Sequence, residues 1–312
     1  MKQMLVVGGA NVDLVGIPDQ PLRMRDSNPG KIRVSFGGVG RNIAHNAVLA
    51  GAEVNLVTLF GNDLLGKSCF EDCLKIGIGM KHSRFSDTQA SSTYMAILDV
   101  DRDMRMAIND MAILDEMDVY AIQPLIIALD AEDICVLDTN LNQNVLEVLS
   151  KEGDCVFALD PISTHKAIKA KNILGRFDII KPNRQQAEVL LDMTIDSNEH
   201  LTQALDKFLK IGNKEIILSL GEDELAATNG KDFVILKMSA ETIVNATGAG
   251  DCLLACYLAE RMRNDDFIAC LSYALAASVL TIGTQETVVQ NLNDSEIREY
   301  LAKATIERSN LK

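Results

Sequence analysis

The sequence predicts an α/β protein: a mainly parallel sheet flanked by helices, with a small β-sheet lid. Three observations carry that expectation. Short β-branched or apolar runs recur along the chain, with amphipathic stretches between them. Several runs end in a polar residue, at the edge where open α/β sheets bind ligands. Two stretches break the rhythm and read as insertions.

In order, the runs are residues 4–7, 54–60, 134–137, 156–159, 177–180 and 215–220. Such continuous apolarity suits strands buried on both faces, and the stretches between them supply helical crossovers. Asp138, Asp160, Asn183 and Gly221 lie at or just past the carboxyl ends of these runs, so the site is expected along that edge. Residues 14–36 are rich in Pro, Asp, Ser and Gly. Residues 92–108 alternate around Asp99-Val100-Asp101-Arg102-Asp103 as a hairpin does. The expected division is a core of residues 1–13, 37–91 and 109–312, with 14–36 and 92–108 inserted as the lid. A lid suits chemistry that excludes water.

Composition narrows the function. At 312 residues and 47% hydrophobic, the chain can bury a large core. A net charge of −14 leaves no basic face large enough for a phosphate backbone, and five Tyr, nine Phe and no Trp give few stacking platforms, which argues against nucleic acid as a partner. The same negative field means that an anionic ligand must be held locally, by backbone donors and a divalent cation. The first apolar run is too short for a signal peptide, and no later run approaches ~20 apolar residues, so a cytoplasmic protein without membrane contact is expected. Cys69/Cys73 and Cys252/Cys256 are each four apart, as on one helical face, and read as buried thiols. The four His show no zinc-binding spacing, so any metal is expected to be a hard cation.

The strongest motif is Asn245-Ala246-Thr247-Gly248-Ala249-Gly250-Asp251, followed directly by a strong helix former. The glycines let backbone N–H groups approach an anion, and the helix N-terminus adds a favourable dipole. In the first turn Asp251 can accept the proton of an attacking hydroxyl, while Gly248, Ala249 and Gly250 hold a transferring phosphoryl group in line. Taken alone, the segment also fits an Asp that stabilises a helix start behind a glycine turn. A second glycine turn, Gly37-Gly38-Val39-Gly40-Arg41-Asn42, opens another helix and places Asn42 to bind a polyol. With Asn11 and Asp13 after the first strand, it marks a sugar pocket. Gly61-Asn62-Asp63-Leu64-Leu65-Gly66-Lys67-Ser68 formally fits a P-loop. Asp63 would put a carboxylate inside a phosphate nest, and Leu64-Leu65 is bulky where backbone must approach. The segment is therefore read as a loop serving chain geometry.

These motifs, with Lys181-Pro182-Asn183 and Ser219-Leu220-Gly221, resemble the ribokinase (PfkB) family of carbohydrate kinases in order and spacing over nearly the whole chain. Within it, Asp26–Lys31, Gly37–Ala44, Ala107–Met111 and Asn245 look most like pseudouridine kinases. The resemblance implies a ribokinase-like, Rossmann-type sheet and transfer of the ATP γ-phosphate to the 5′-hydroxyl of pseudouridine. Asp251 would be the base, and the amides of Gly248–Asp251 the anion hole. It also implies that Asn11, Asp13, Gly38, Asn42, Asn109 and Lys166 contact the nucleoside. Asn183, Ser219, Gly221 and Thr247 would line the nucleotide site. Mg²⁺ is implied, a monovalent cation such as K⁺ is a further expectation, and a homodimer joined through the lid sheet is expected.

The sequence departs from the family pattern in three places. Gln186 stands where the family's Asn-x-x-Glu motif has its Glu, which predicts a weaker outer-sphere hold on Mg²⁺. Glu188 falls on a different face of the helix expected there. The nucleotide loop reads Gly221-Glu222-Asp223-Glu224, with three acids where ATP would approach, and Asn245 replaces the Asp common in ribokinases. Two rival readings follow: a P-loop NTPase built on residues 61–68, and a nucleoside-binding sensor that has lost turnover. Another sugar or nucleoside kinase of the same family, acting on ribose or uridine, is the nearer alternative.

Overall fold

The structure, a computed structural model, describes every residue except 1, 152, 222, 240–242, 245, 246, 285 and 312. In chain order the strands are β1 Met4–Val7, β2 Asn11–Pro18, β3 Gly30–Gly37, β4 Val54–Val57, β5 Leu59–Gly61, β6 Arg84–Ser86, β7 Thr93–Leu98, β8 Met104–Asp110, β9 Ile134–Asp138, β10 Val156–Asp160, β11 Ile179–Ile180, β12 Glu215–Ser219, β13 Glu224–Thr228, β14 Phe233–Met238 and β15 Ile306–Asn310. The helices are α1 Val39–Leu49, α2 Leu64–Ile76, α3 Val119–Ile127, α4 Gln143–Leu149, α5 Thr164–Ala167, α6 Arg184–Leu191, α7 Asn198–Ile211, α8 Ala249–Arg261, α9 Phe267–Ile282 and α10 Asp294–Lys303.

The large sheet runs β15-β14-β13-β12-β11-β10-β9-β1-β4. From β4 to β12 the pairing is parallel, as the alternation predicts. Side chains on a strand alternate in direction, so each parallel strand feeds two cores. Met4 and Val6 of β1 pack with α1, α8 and α9 residues on one face. Leu5 and Val7 pack with α4, α6 and α7 residues on the other. Both faces are covered, which is why the strand runs read as continuously apolar.

The structure differs from the sequence reading at three points in this sheet. Residues 54–60 are two strands, because the Thr58 N–H donates to Ser83 Oγ (3.1 Å) and the chain leaves β4 to pair β5 with β6. Residues 177–180 shorten to β11, since the Phe177 N–H closes a tight turn on Leu174 O. Three antiparallel strands, β13–β15, extend one edge beyond the parallel part.

A separate four-stranded sheet, β3-β2-β7-β8, is built from the two insertion stretches. Its strands begin at Asn11 and end at Asp110. Paired residues in a sheet point to the same side. The register therefore gives one face the apolar rows Ile32, Gly16, Ile97, Met106 and Val34, Leu14, Met95, Ile108. The opposite face carries the polar row Ser35, Asp13, Tyr94, Asn109.

Candidate active site

The polar residues at the carboxyl ends of the parallel strands meet the N-termini of α1, α6 and α8. Between them lies a cleft of about 590 Å³ lined by Asp160, Lys181, Asn183, Ser219, Gly250 and Asp251, among others. Helix α8 starts behind Gly248, which is left-handed (φ +85°) and lies against the Thr287 carbonyl where a Cβ would sit. Gly248 therefore has a geometric need to be glycine. It leaves the amides of Ala249, Gly250 and Asp251 in the first turn, where helical partners are missing.

Asp251 is joined to the N-terminal half of the chain by one hydrogen bond, from Asn42 Nδ2 to its Oδ2 at 2.9 Å. Asn42 is 4% exposed, so its amide is a fixed donor. Helix α1 reaches this position because Gly38 (φ +96°) and Gly40 let it pack on the backbone of Gly8–Ala10. The Arg41 N–H then donates to Gly9 O and the Asn42 N–H to Gly38 O.

Burial pushes the Asp251 carboxyl up to about 7; Asp160 adds to the rise, while Lys181 and the Asn42 hydrogen bond oppose it. Asp138 and Asp160 are register partners on β9 and β10, and burial likewise raises Asp138. Lys181, just past β11, sets a counter-charge here: its Nζ lies 3.0 Å from Asp160 Oδ2, with both side chains buried. A Cβ on Gly250 would come within 2.7 Å of the same Nζ. The ammonium thus stands at the first turn of α8, beside the free amides.

Asn11, Asp13 and Asn109 lie on the small sheet. Asn11 Nδ2 donates to Asp13 Oδ1 at 2.6 Å, and Asn109 shares the row and face of Asp13. Burial raises the Asp13 carboxyl, opposed by Asn11 and Arg41. Lys166 is tied to the sheet edge: its Nζ donates to Asn140 Oδ1 at 2.6 Å, and a Cβ on Gly9 would meet the Asn140 amide. Thr247 stands exposed at the turn before α8, outside the residues that line the cleft. Gly221 lines the cleft in open space, so nothing around it demands glycine.

Asn183 caps α6 by accepting from the Gln186 N–H, and Gln186 Oε1 accepts from the Asn183 N–H, both at 2.9 Å. Glu188 accepts from the Ile195 N–H and is thereby held at the far end of α6. Among the described residues no group of three or more His, Cys, Asp or Glu side chains could hold a metal ion. These residues do not fit a protein-held Mg²⁺ at the start of α6. Of the acidic loop, Glu224 lines the cleft and faces Lys237 in register on β14; Glu222 and Asn245 lie outside the described residues.

The P-loop reading is overturned. Asp63 Oδ1 accepts from the Gly66 N–H and Ser91 Oγ, and its Oδ2 from the Ser91 N–H, each at 2.8 Å. The carboxylate fills the place a phosphate would take. The seven Cys are all buried free thiols, as their spacing suggests.

The sequence model of the pfkB family carbohydrate kinases matches residues 1–293. The chain belongs to the pfkB family of carbohydrate kinases. It is a phosphotransferase fold of the ribokinase type, and its substrate is a sugar or a nucleoside. Pseudouridine kinase of Escherichia coli (strain K12) is 27% identical over 96% of this chain and 97% of its own length. A carbohydrate kinase from Agrobacterium tumefaciens superposes with a TM-score of 0.86 at 27% identity, over 99% of this chain and 100% of the other. The Arabidopsis thaliana ribokinase solved with ribose and ATP shares the fold, with a TM-score of 0.78 at 21% identity over 96% and 99% of the two chains. Family members use ATP, and no described helix is long and apolar enough to cross a membrane.

The sequence points to Asp251 and Asn42 by role, but it marks Asp160 only as a polar residue at the sheet edge and Lys181 only as part of a motif, with no role for either. The available signal was their position: both stand at or just past the carboxyl end of an apolar run, where a charged residue is costly unless used.

Proposed function

We propose that this pfkB-family chain transfers the γ-phosphoryl group of ATP to the 5′-hydroxyl of pseudouridine, with Asp251 as general base. The observation that carries the reading is the Asn42–Asp251 hydrogen bond, which joins the polyol-binding turn to a carboxyl poised near neutrality. In this reading the nucleoside hydroxyls meet Asn11, Asp13, Asn42 and Asn109, with Lys166 beside the base. Asp251 takes the 5′-hydroxyl proton as that oxygen attacks the γ-phosphorus and the bond to the β-phosphate oxygen breaks. The amides of Gly248–Asp251 and the Lys181 ammonium face the charge on the phosphoryl oxygens. Asn183, Ser219, Gly221 and Thr247 lie on the nucleotide side.

The small sheet acts as a lid, turning its polar face to the nucleoside and excluding water on closure. Its apolar face, with Ile32 77% and Ile108 63% exposed, is covered by the same face of a second copy. Pseudouridine is favoured over its relatives by the resemblance of residues 26–31, 37–44 and 107–111 and of Asn245 to pseudouridine kinases, and by the 27% identical relative. The test is a panel of pseudouridine, uridine and ribose at fixed MgATP. Pseudouridine should give the highest kcat/KM. Faster turnover of uridine or ribose would refute the substrate while leaving the kinase, and no turnover of any would favour a sensor.

A further inference from the structure

The capping box at the start of α6 decides which way the Gln186 amide points. The Asn183 N–H is a donor, so the end of the amide it meets must be Oε1. Nε2 is then the other end. Gln186 is 4% exposed and lines the cleft with Asp160, Lys181 and Gly250, and its Nε2 donates to no described residue. The NH₂ is not sealed from solvent, so water can meet it in the cleft, and a bound ligand that carries an acceptor can take that place. Asp160, which lines the same cleft, is already paired with Lys181.

We propose that Gln186 Nε2 donates directly to a phosphate oxygen of the bound nucleotide, so that this chain holds nucleotide with little help from a divalent cation. A glutamate at this position would keep the same cap through one oxygen. Its other oxygen would aim an anionic acceptor at the phosphates and would need a cation-bound water between them. The amide replaces that bridge with one charge-assisted hydrogen bond. This rests on reading the cleft as the nucleotide site.

The test is calorimetric titration of ATP, without acceptor, into the full chain in EDTA and in Mg²⁺. Wild type should bind in both buffers with affinities within about ten-fold of one another. Gln186→Glu should lose about ten- to hundred-fold in EDTA, and Mg²⁺ should restore most of it. Because the cap survives, its thermal midpoint should stay within about 2 °C of wild type. Gln186→Met removes the donor without adding charge and should lose about ten-fold in EDTA, measured well below its lowered midpoint. Unchanged metal-free binding in both variants overturns the proposal, as does a loss confined to Gln186→Glu, which would mean through-space repulsion. A wild type that phosphorylates its acceptor but binds ATP only with Mg²⁺ overturns this proposal alone. A wild type that binds no ATP in either buffer overturns the functional reading as well.

Discussion

Asp251→Asn separates what the carboxyl does for chemistry from what it costs the fold. Burial raises the Asp251 carboxyl from 3.8 to about 7, so between those values the folded chain holds a proton that the unfolded chain has released. Stability must therefore fall as pH rises from about 4 to about 7 and stay level above. At about 1.36 kcal/mol per pH unit, the rise corresponds to roughly 4 kcal/mol once the group is ionised. Asparagine removes the charge while its Oδ1 can still accept from Asn42 Nδ2, the bond now seen at 2.9 Å. Urea unfolding from pH 4 to 9 should give matching stabilities at pH 4 and a variant more stable by about 2–4 kcal/mol at pH 8. The same variant should lose about 10²–10⁴-fold in kcat. Parallel stability curves would refute the buried-carboxyl argument, and retained turnover would refute the base.

Lys181→Met removes the charge that holds the Asp251 carboxyl down, so the acid limb of the kcat/KM profile should move to higher pH; an unmoved limb would detach Lys181 from the base. Asp63→Ala should cost about 1–2 kcal/mol by thermal unfolding, because three donors lose their acceptor, while Lys67→Ala should change neither stability nor turnover by more than about two-fold. A collapse of turnover with Lys67→Ala would restore the P-loop. Ile32→Glu with Ile108→Glu puts charges in the apolar rows of the small sheet, and light scattering should then report a monomer where wild type is a dimer; equal masses would leave that face without the proposed partner.

The parallel half of the sheet is legible in the sequence because each of its strands is buried on both faces, and such a strand must be an apolar run wherever it lies. The antiparallel edge is not. Glu224–Thr228 and Ile306–Asn310 carry Glu, Ala, Arg and Ser, and they become strands by pairing, the first between β12 and β14 and the second on β14. Asp251 and Asn42 are legible too, since a glycine turn before a helix announces backbone amides free to meet an anion. What the sequence determines by itself is thus the alternation, the glycine turns and the side chains they present.

Only the tertiary structure decides what those side chains face. Asn42 and Asp251 are 209 residues apart, and their hydrogen bond exists because α1 packs on α8. The counter-charge of Lys181 depends on β9, β10 and β11 lying side by side, which brings Asp138, Asp160 and Lys181 to one edge. The P-loop pattern reads correctly as letters and wrongly as a site, because Asp63 finds Ser91 across the fold and closes the nest. In each case the deciding quantity is electrostatic, set by which groups are buried together, and burial belongs to the folded chain.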